Sequence, residues 1–375
     1  MKKNVHTAGK SRKQKKIMLL LLELLIILLL AIALFITTKL SKIEKNKLDM
    51  NDVSINDDLS DETKEAMAHY KTIALFGLDN RSNGSLSKGN SDVIMLANID
   101  TKQHTINLVS VYRDSYLDTG NGTYQKCNAA YAKGGPEQAL SMLNTNLDLA
   151  ITDYVTVDFN AIIECVDLLG GVDITITDDE ASLMIGYMKE LNELTGHNST
   201  PPASGGTYTL DGVQACAYAR IRYGGGDDAK RTSRQRIVIN LMVQKLKQNP
   251  TKIPEILDKV MGNVSTSLTK NEILELGMHA VTYTMGTSYA YPFQLCYGEN
   301  VVNALGEDVV IPVTLEFNVR ELHEYLYPGL SYEPSAAVTE YSDYIARKSG
   351  YDEDMIGYVL NQGPGAEADS VIAGD

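Results

Sequence analysis

Residues 17–38 read IMLLLLELLIILLLAIALFITT, 22 positions interrupted by a single charge, Glu23. At about 1.5 Å of rise per residue this run is long enough to cross a bilayer, and a helix apolar on every side is better accommodated by lipid than by one face of a protein core. It therefore divides the chain into a short segment on one side of a membrane and everything else on the other. Seven Lys/Arg precede the run (Lys2, Lys3, Lys10, Arg12, Lys13, Lys15, Lys16) and four lysines follow it (Lys39, Lys42, Lys45, Lys47), which puts the N-terminus in the cytoplasm. The run exceeds the roughly 7–15-residue apolar core of a cleaved signal peptide, and no clear small-x-small site follows, so it reads as an uncleaved signal anchor.

Charge divides at the same place. Residues 1–47 carry 11 Lys/Arg against 2 Asp/Glu, leaving 23 against 46 for the rest of the 375-residue chain, a net −23. A body that acidic lacks the broad basic face that nucleic-acid binding needs, so any anion it binds must be held locally. The four cysteines (Cys127, Cys165, Cys216, Cys296) form no C-x-x-C pair and are too sparse for a disulfide framework; three sit in apolar patterns and read as buried free thiols.

The organisation that follows is residues 1–16 as a basic cytoplasmic segment, 17–38 as the anchor, 39–70 as an extracytoplasmic stalk, 71–335 as the folded domain and 336–375 as an acidic, aperiodic tail. TIALFGLD (72–79), DVIMLANID (92–100) and TINLVSVYRD (105–114) are short apolar runs of the kind buried on both faces of a sheet. GGPEQALSMLNTNL predicts a helix from Pro136, DYVTVDF a strand, and FNAIIECVDLLGGVDITI a helix stopped by Gly170 and Gly171 before another strand. Residues 181–209 read as an insertion with a Ser/Thr/Pro/Gly-rich loop. RTSRQRIVINLMVQKLKQ predicts a helix with Ile237, Leu241, Val243 and Leu246 inward, and TKNEILELGMHAV opens with the capping box Thr269–Glu272. Alternating strands and helices give an α/β fold with helices on the sheet faces.

Asp79 and Arg81 follow the first strand and Asp92 opens the second. If those strands pair antiparallel, Asp79 and Asp92 meet at one end of the sheet, either as oxygen ligands for Mg²⁺ or as turn and capping carboxylates. Arg113 and Asp114 end the third strand, where they form a catalytic pair or a surface ion pair. The stretch YARIRYGGGDDAKRTSRQR (218–236) holds five of the nine arginines found after residue 47. Arg220 and Arg222 alternate with Ile221 and Tyr223 as on a short strand, sharing one face. Arg231, Arg234 and Gln235 enter a helix at spacings of three and four. Cations in a first turn oppose the helix dipole, a cost that a bound anion reverses, and Arg suits bidentate phosphate binding. The stretch is a candidate polyanion site.

FGLDNR, SDVIML, VSVYRDSY, KCNAAYAKGGPE, DYVTVDF, LLGGVDI, LDGVQACAYARIR and DAKRTSRQR, in that order, resemble the LytR-CpsA-Psr family over roughly residues 71–335. The resemblance implies a three-layer α/β/α sandwich with a mixed central sheet. It also implies an enzyme that transfers a teichoic-acid or capsule-type glycopolymer from a polyprenyl-pyrophosphate carrier to peptidoglycan through a phosphodiester link, using Mg²⁺ with Mn²⁺ as a substitute. Carried over by position, Asp79 and Asp92 are the metal ligands and Arg113, Arg220, Arg222 and Arg231 the pyrophosphate clamp. Arg81, Lys126, Arg234 and Gln235 are further pyrophosphate-binding positions, and Asp79 or Asp114 is the base. The chain departs from the family at VYRD, where proline commonly precedes the arginine, at Cys127 in KCNAAY, at Gly224–Gly226, and at Arg236 in place of a second glutamine. A polyprenyl-pyrophosphate phosphohydrolase and a non-enzymatic membrane-bound regulator are the competing classes. The oligomeric state is not written in the sequence.

Overall fold

The near-continuous apolar runs become the middle strands of a sheet, where both faces of a strand are covered. β2 (Tyr70–Leu78) pairs antiparallel with β3 (Ser91–Asp100), which pairs antiparallel with β4 (Thr105–Val111). β11 (Thr284–Tyr291) lies parallel to β4 at one edge. On the other side come β7 (Asp153–Val157), parallel to β2, then β10 (Val264–Thr266), antiparallel to β7, and β1 (Glu44–Lys45), parallel to β10. The order β1-β10-β7-β2-β3-β4-β11 makes a mixed sheet. The structure, a computed structural model, describes residues 44–45, 48–79, 86–87, 89–222, 228–297 and 308–361. The apolar run at 17–38 lies outside them, and among the described residues no helix is long and apolar enough to cross a membrane.

Smaller pieces surround the sheet: the hairpin β5 (Tyr116–Asp118) and β6 (Tyr124–Lys126), the ribbon β8 (Val172–Ile176) and β9 (Gly206–Leu210), and β12 (Gln294–Tyr297) between β13 (Val310–Pro312) and β14 (Leu360–Asn361). The helices are α1 (Asp61–Ala68), α2 (Ala129–Leu147), α3 (Phe159–Leu168), α4 (Asp178–Thr195), α5 (Gly212–Tyr218), α6 (Asp228–Gln248), α7 (Ile253–Val260), α8 (Lys270–His279), α9 (Leu315–Leu326) and α10 (Ala336–Ser349).

Alternation along β2 sorts the layers. Ala74, Phe76 and Leu78 belong to the largest apolar cluster, with Leu140 and Leu143 of α2, Leu322 of α9 and Val338 of α10. Ile73 faces the other way and packs with Ile273 and Leu276 of α8. Successive side chains of a strand point to opposite faces, so helices cover both sides of the sheet. A second cluster, built from α3, α4, α5 and the β8–β9 ribbon around Ile163, Met184 and Val213, stands beside the sheet. Gly212 sets the approach of α5 to α3: a Cβ there would lie 2.3 Å from the Ile163 carbonyl oxygen.

Several local expectations hold. The helix read from Pro136 is the second part of α2, after a kink at Gly134 and Gly135. The Thr269–Glu272 capping box opens α8, and all four cysteines are free, with Cys127 and Cys216 buried.

Others need correction. The insertion is mostly α4, an 18-residue helix opened by a Thr177–Glu180 capping box, because its apolar residues Ala181, Met184, Met188 and Leu191 fall at helical spacing and bury against the second cluster. The stalk ends earlier than residue 70, since Val53, Leu59 and Met67 are buried in the main core. The tail begins later than residue 336: α10 inserts Val338 and Ile345 into the same core. Inside α6 the buried residues are chiefly Arg231, Arg234, Arg236 and Asn240, with Val238. The aliphatic face read from the sequence, Ile237, Leu241, Val243 and Leu246, is only half-buried.

A buried polar knot ties the two ends of this domain together. Asp148 caps α2 in the left-handed conformation, accepts from Asn56 and from the Tyr332 hydroxyl, and takes the Ser335 amide at 2.7 Å. Beside it, fully buried His323 donates from Nε2 to the Leu147 carbonyl at 3.0 Å and stacks on Tyr332 at 3.7 Å between ring centroids. Burial pushes His323 down to about 4 from 6.5. The folded protein thus resists a proton that the unfolded chain accepts, so stability is lost as pH falls from about 6.5 toward 4, by about 3 kcal/mol at pH 4. Urea midpoints across this range should fall steeply for the native chain and more shallowly for His323→Gln.

Candidate active site

The β2–β3 pairing brings two carboxylates to one cavity. The register runs from Gly77 opposite Val93 to Leu78 opposite Ser91, so Asp92 is the extra residue of a bulge, a device that re-aims a side chain beside functional sites. Gly77 makes the close approach possible, because a Cβ there would sit 2.9 Å from the Val93 Cβ. Asp79, just past the end of β2, and Asp92 line one cavity of ≈ 700 Å³.

That cavity is lined by both charged and apolar side chains. Arg113, Arg220, Arg222, Arg231 and Gln235 join the two carboxylates, and Leu75, Met95, Val155, Ile162, Val238 and Met242 are among the residues that line the walls. Arg113 Nη1 donates to Asp92 Oδ1 at 2.7 Å. Its Nε faces Asp114 Oδ2 at 3.5 Å, and Lys126 Nζ holds the other Asp114 oxygen at 3.4 Å. Burial pushes the Asp114 carboxyl above its usual range; Arg113 and Lys126 oppose the shift and the charge of Asp228 adds to it.

Arg220 lies over the Phe159 ring at 4.7 Å and the Tyr187 ring at 5.5 Å, and pairs with Glu190 at 3.2 Å. Arg231, 5% exposed, donates from Nη2 to the Asp92 carbonyl at 3.3 Å. Burial lowers its basicity, and the neighbouring cations Arg113 and Arg222 lower it further against the opposing pull of Asp228. Among the described residues, the Nη1 of Arg220 and the Nε atoms of Arg113, Arg222 and Arg231 are buried without an aligned hydrogen-bond acceptor. Buried guanidinium N–H groups are costly when left unpaired, so the cavity suits a multiply charged anion.

The structure redistributes the other candidates. Arg220 and Arg222 do not sit on a strand; they follow the end of α5, where the amides of Arg220 and Ile221 bond back to Ala217 and Tyr218 and the chain turns out of the helix. Arg234 is not among the residues lining the cavity. It pairs with Glu180 at 3.0 Å and donates to the Ile221 carbonyl at 3.2 Å. Lys126 and Asp114 stand behind Arg113 rather than on the cavity wall. Arg81 lies outside the described residues. Arg236 turns away to the Ser110 hydroxyl at 3.1 Å.

Sequence reasoning missed Asp228, Glu190 and Phe159. For Asp228 a signal was present: an acid three residues before Arg231 at the opening of a helix is an i,i+3 pair. Glu190 and Phe159 reach Arg220 across long sequence separations that no local pattern reports.

The two carboxylates also answer whether Mg²⁺ fits. Among the described residues no group of three or more His, Cys, Asp and Glu could hold a metal. Mg²⁺ is commonly held by one or two carboxylates, with phosphate oxygens and water completing its shell, so Asp79 and Asp92 beside an anion site are a fitting donor set.

Comparison with known proteins agrees with this fold. The polyisoprenyl-teichoic acid–peptidoglycan teichoic acid transferase TagU of Enterococcus faecalis is 30% identical over 211 residues, 55% of this chain and 64% of TagU, so the chain spans less than two thirds of that relative's length. The solved structure of gbs0355 from Streptococcus agalactiae has the same fold, with a TM-score of 0.59 at 24% identity over 77% of this chain and 98% of that one. So has the LytR-CPS2A-psr family protein YwtF (TagT) with bound octaprenyl pyrophosphate lipid, with a TM-score of 0.51 at 20% identity over 71% and 92%. Residues 31–286, more than half of the chain, match the LytR_cpsA_psr family, and the chain belongs to that family.

Proposed function

We propose that this chain is a membrane-anchored phosphotransferase that moves a teichoic-acid or capsule-type glycopolymer from a polyprenyl-pyrophosphate carrier onto peptidoglycan. In this reading residues 17–38 are its single span, with the N-terminus cytoplasmic and the sheet domain outside. The observation that carries it is the joining, in one ≈ 700 Å³ cavity, of arginine N–H groups without aligned acceptors among the described residues and two carboxylates with apolar lining residues. A pyrophosphate on a polyprenyl tail needs both kinds of lining. The relative of like fold with octaprenyl pyrophosphate and the relative named as a teichoic acid transferase support the same chemistry.

In the proposed reaction Arg220, Arg222, Arg231 and Gln235 hold the pyrophosphate and Arg113 faces the charge that develops on it. The acceptor hydroxyl attacks the sugar-proximal phosphorus, a new P–O bond forms, the bond to the second phosphate breaks, and polyprenyl phosphate leaves. Asp79 lines the cavity and accepts the hydroxyl proton, while Asp114, behind Arg113, orients that arginine with Lys126. Asp79 and Asp92 would hold Mg²⁺ or Mn²⁺, which supplies neutralisation of phosphate charge when bound.

The test is incubation of the full chain in detergent with lipid-linked glycan and peptidoglycan, with and without Mg²⁺. The expected products are peptidoglycan carrying phosphodiester-linked glycan and an equivalent of polyprenyl phosphate. Free phosphorylated glycan without transfer identifies the hydrolase instead. Ala at Arg220, Arg222 or Arg231 is expected to weaken the lipid substrate by about 1.5–3 kcal/mol, roughly 10- to 100-fold, against no change for the exposed control Arg347→Ala.

A further inference from the structure

We propose that Asp228 is a positioning residue for the arginine clamp, holding Arg222 and Arg231 together in the arrangement that receives the pyrophosphate. The inference rests on the reading of the cavity as a pyrophosphate site.

Two guanidinium groups brought side by side in a partly buried site repel one another, and the more exposed of them gains by leaving. Arg231 has no exit, with a side chain only 6% exposed, whereas the Arg222 side chain is 32% exposed. Asp228 Oδ1 lies 3.0 Å from Arg222 Nη2 and 3.4 Å from Arg231 Nη2, so one oxygen holds both cations. Asp228 is the first residue of the 21-residue helix α6, where the helix dipole favours a negative charge. Arg231, one turn further on, is disfavoured by the same dipole. The acid offsets both penalties.

The manner of the contact matters as much as its presence. Among the described residues these are ion pairs without aligned hydrogen bonds: Asp228 Oδ1 has no aligned donor there, and the Nε atoms of Arg222 and Arg231 are buried with no acceptor. A carboxylate that closed on either arginine as a two-pronged fork would use up the N–H groups a phosphate needs. Asp228 approaches each guanidinium at Nη2 and leaves the Nε of each for a second acceptor. Its burial, 4% exposed, keeps the restraint in place before any anion arrives. Such a residue acts through the arginines and not on the reacting atoms.

The test uses inorganic pyrophosphate, titrated calorimetrically into the full chain in detergent without divalent metal, with thermal unfolding of each variant alongside. Asp228→Asn keeps the shape and removes a negative charge from an anion site. Electrostatics alone would make it bind pyrophosphate more tightly; loss of positioning makes it bind more weakly, by about tenfold. In an Arg222→Ala background the same substitution is expected to change affinity less than threefold, because the element it positions is gone. Should Asp228→Asn not fold, Asp228→Glu keeps the charge, displaces it by one methylene, and is expected to weaken binding several-fold. Wild-type or tighter affinity in the folded Asn variant, unchanged affinity in the Glu variant, or full additivity with Arg222→Ala overturns the role of Asp228. No pyrophosphate binding by the wild-type chain overturns the pyrophosphate reading itself, and this inference with it.

Discussion

Arg113→Ala is expected to reduce turnover about 100- to 1,000-fold, the scale seen when a preorganised charge-stabilising donor is removed from a transition state. Arg113 is the cation through which two carboxylates meet: Asp92 accepts from it at 2.7 Å and Asp114 faces its Nε at 3.5 Å. Removing it strips Asp92 of its ion pair and leaves Lys126 as the cation paired with Asp114. Steady-state transfer assays at saturating lipid substrate should show the loss in kcat, with KM raised less. Arg113→Lys should recover only part of it, since an ammonium cannot span Asp92 and a phosphate as a planar fork does. A loss below about tenfold would place Arg113 outside the charge-stabilising set and make the pair with Asp92 structural.

The second large effect lies far from the chemistry. Asp148→Ala is expected to destabilise the domain by about 3–5 kcal/mol, because the buried Tyr332 hydroxyl and Ser335 N–H lose their acceptor together, while the Asn56 amide loses one acceptor and keeps the Thr145 carbonyl and the Ser335 hydroxyl. The left-handed backbone at Asp148 adds to the cost, as alanine tolerates that region less well than Asp. Denaturant unfolding of the purified domain measures the change directly. A loss under about 1 kcal/mol would mean that water replaces the carboxylate and that the knot does not join the two ends of the domain. Activity per folded molecule should be unchanged, since Asp148 sits on the face of the sheet opposite α8, in the layer of α2, α9 and α10.

How far the sequence could be read follows from the range of the forces involved. The positions of the central strands, the Thr269–Glu272 cap and the helix after Pro136 were legible because alternation, capping and the fixed φ of proline act within a few residues, although the third strand ends at Val111 and not at Asp114. The antiparallel pairing of β2 with β3, which brings Asp79 and Asp92 to one cavity, was legible for a related reason: a short connection between two apolar runs leaves antiparallel pairing as the direct solution. The bulge that turns Asp92 into the cavity was not legible, since it depends on Val93 seating against Gly77 across the strands. Helices α4 and α10 were hidden by composition, because each carries many charged residues and shows its apolar stripe only once there is a core to receive it.

Residues 218–236 show the division most clearly. The sequence by itself determined that arginines would concentrate there and that Arg231, Arg234 and Gln235 would share a helix, because charge density and helical spacing are properties of the local chain. Only the tertiary structure decided which of them meet a ligand. At about 100° per residue, Gln235 lies about 40° to one side of Arg231 and Arg234 about 60° to the other. That difference sends Gln235 to the cavity and Arg234 to Glu180 of α4. Arg220 likewise owes its place to Phe159, Tyr187 and Glu190, which the fold brings from two other helices. Long side chains with a fixed charge take whatever partner the fold supplies, and the partner, being distant in sequence, is known only when the layers have packed.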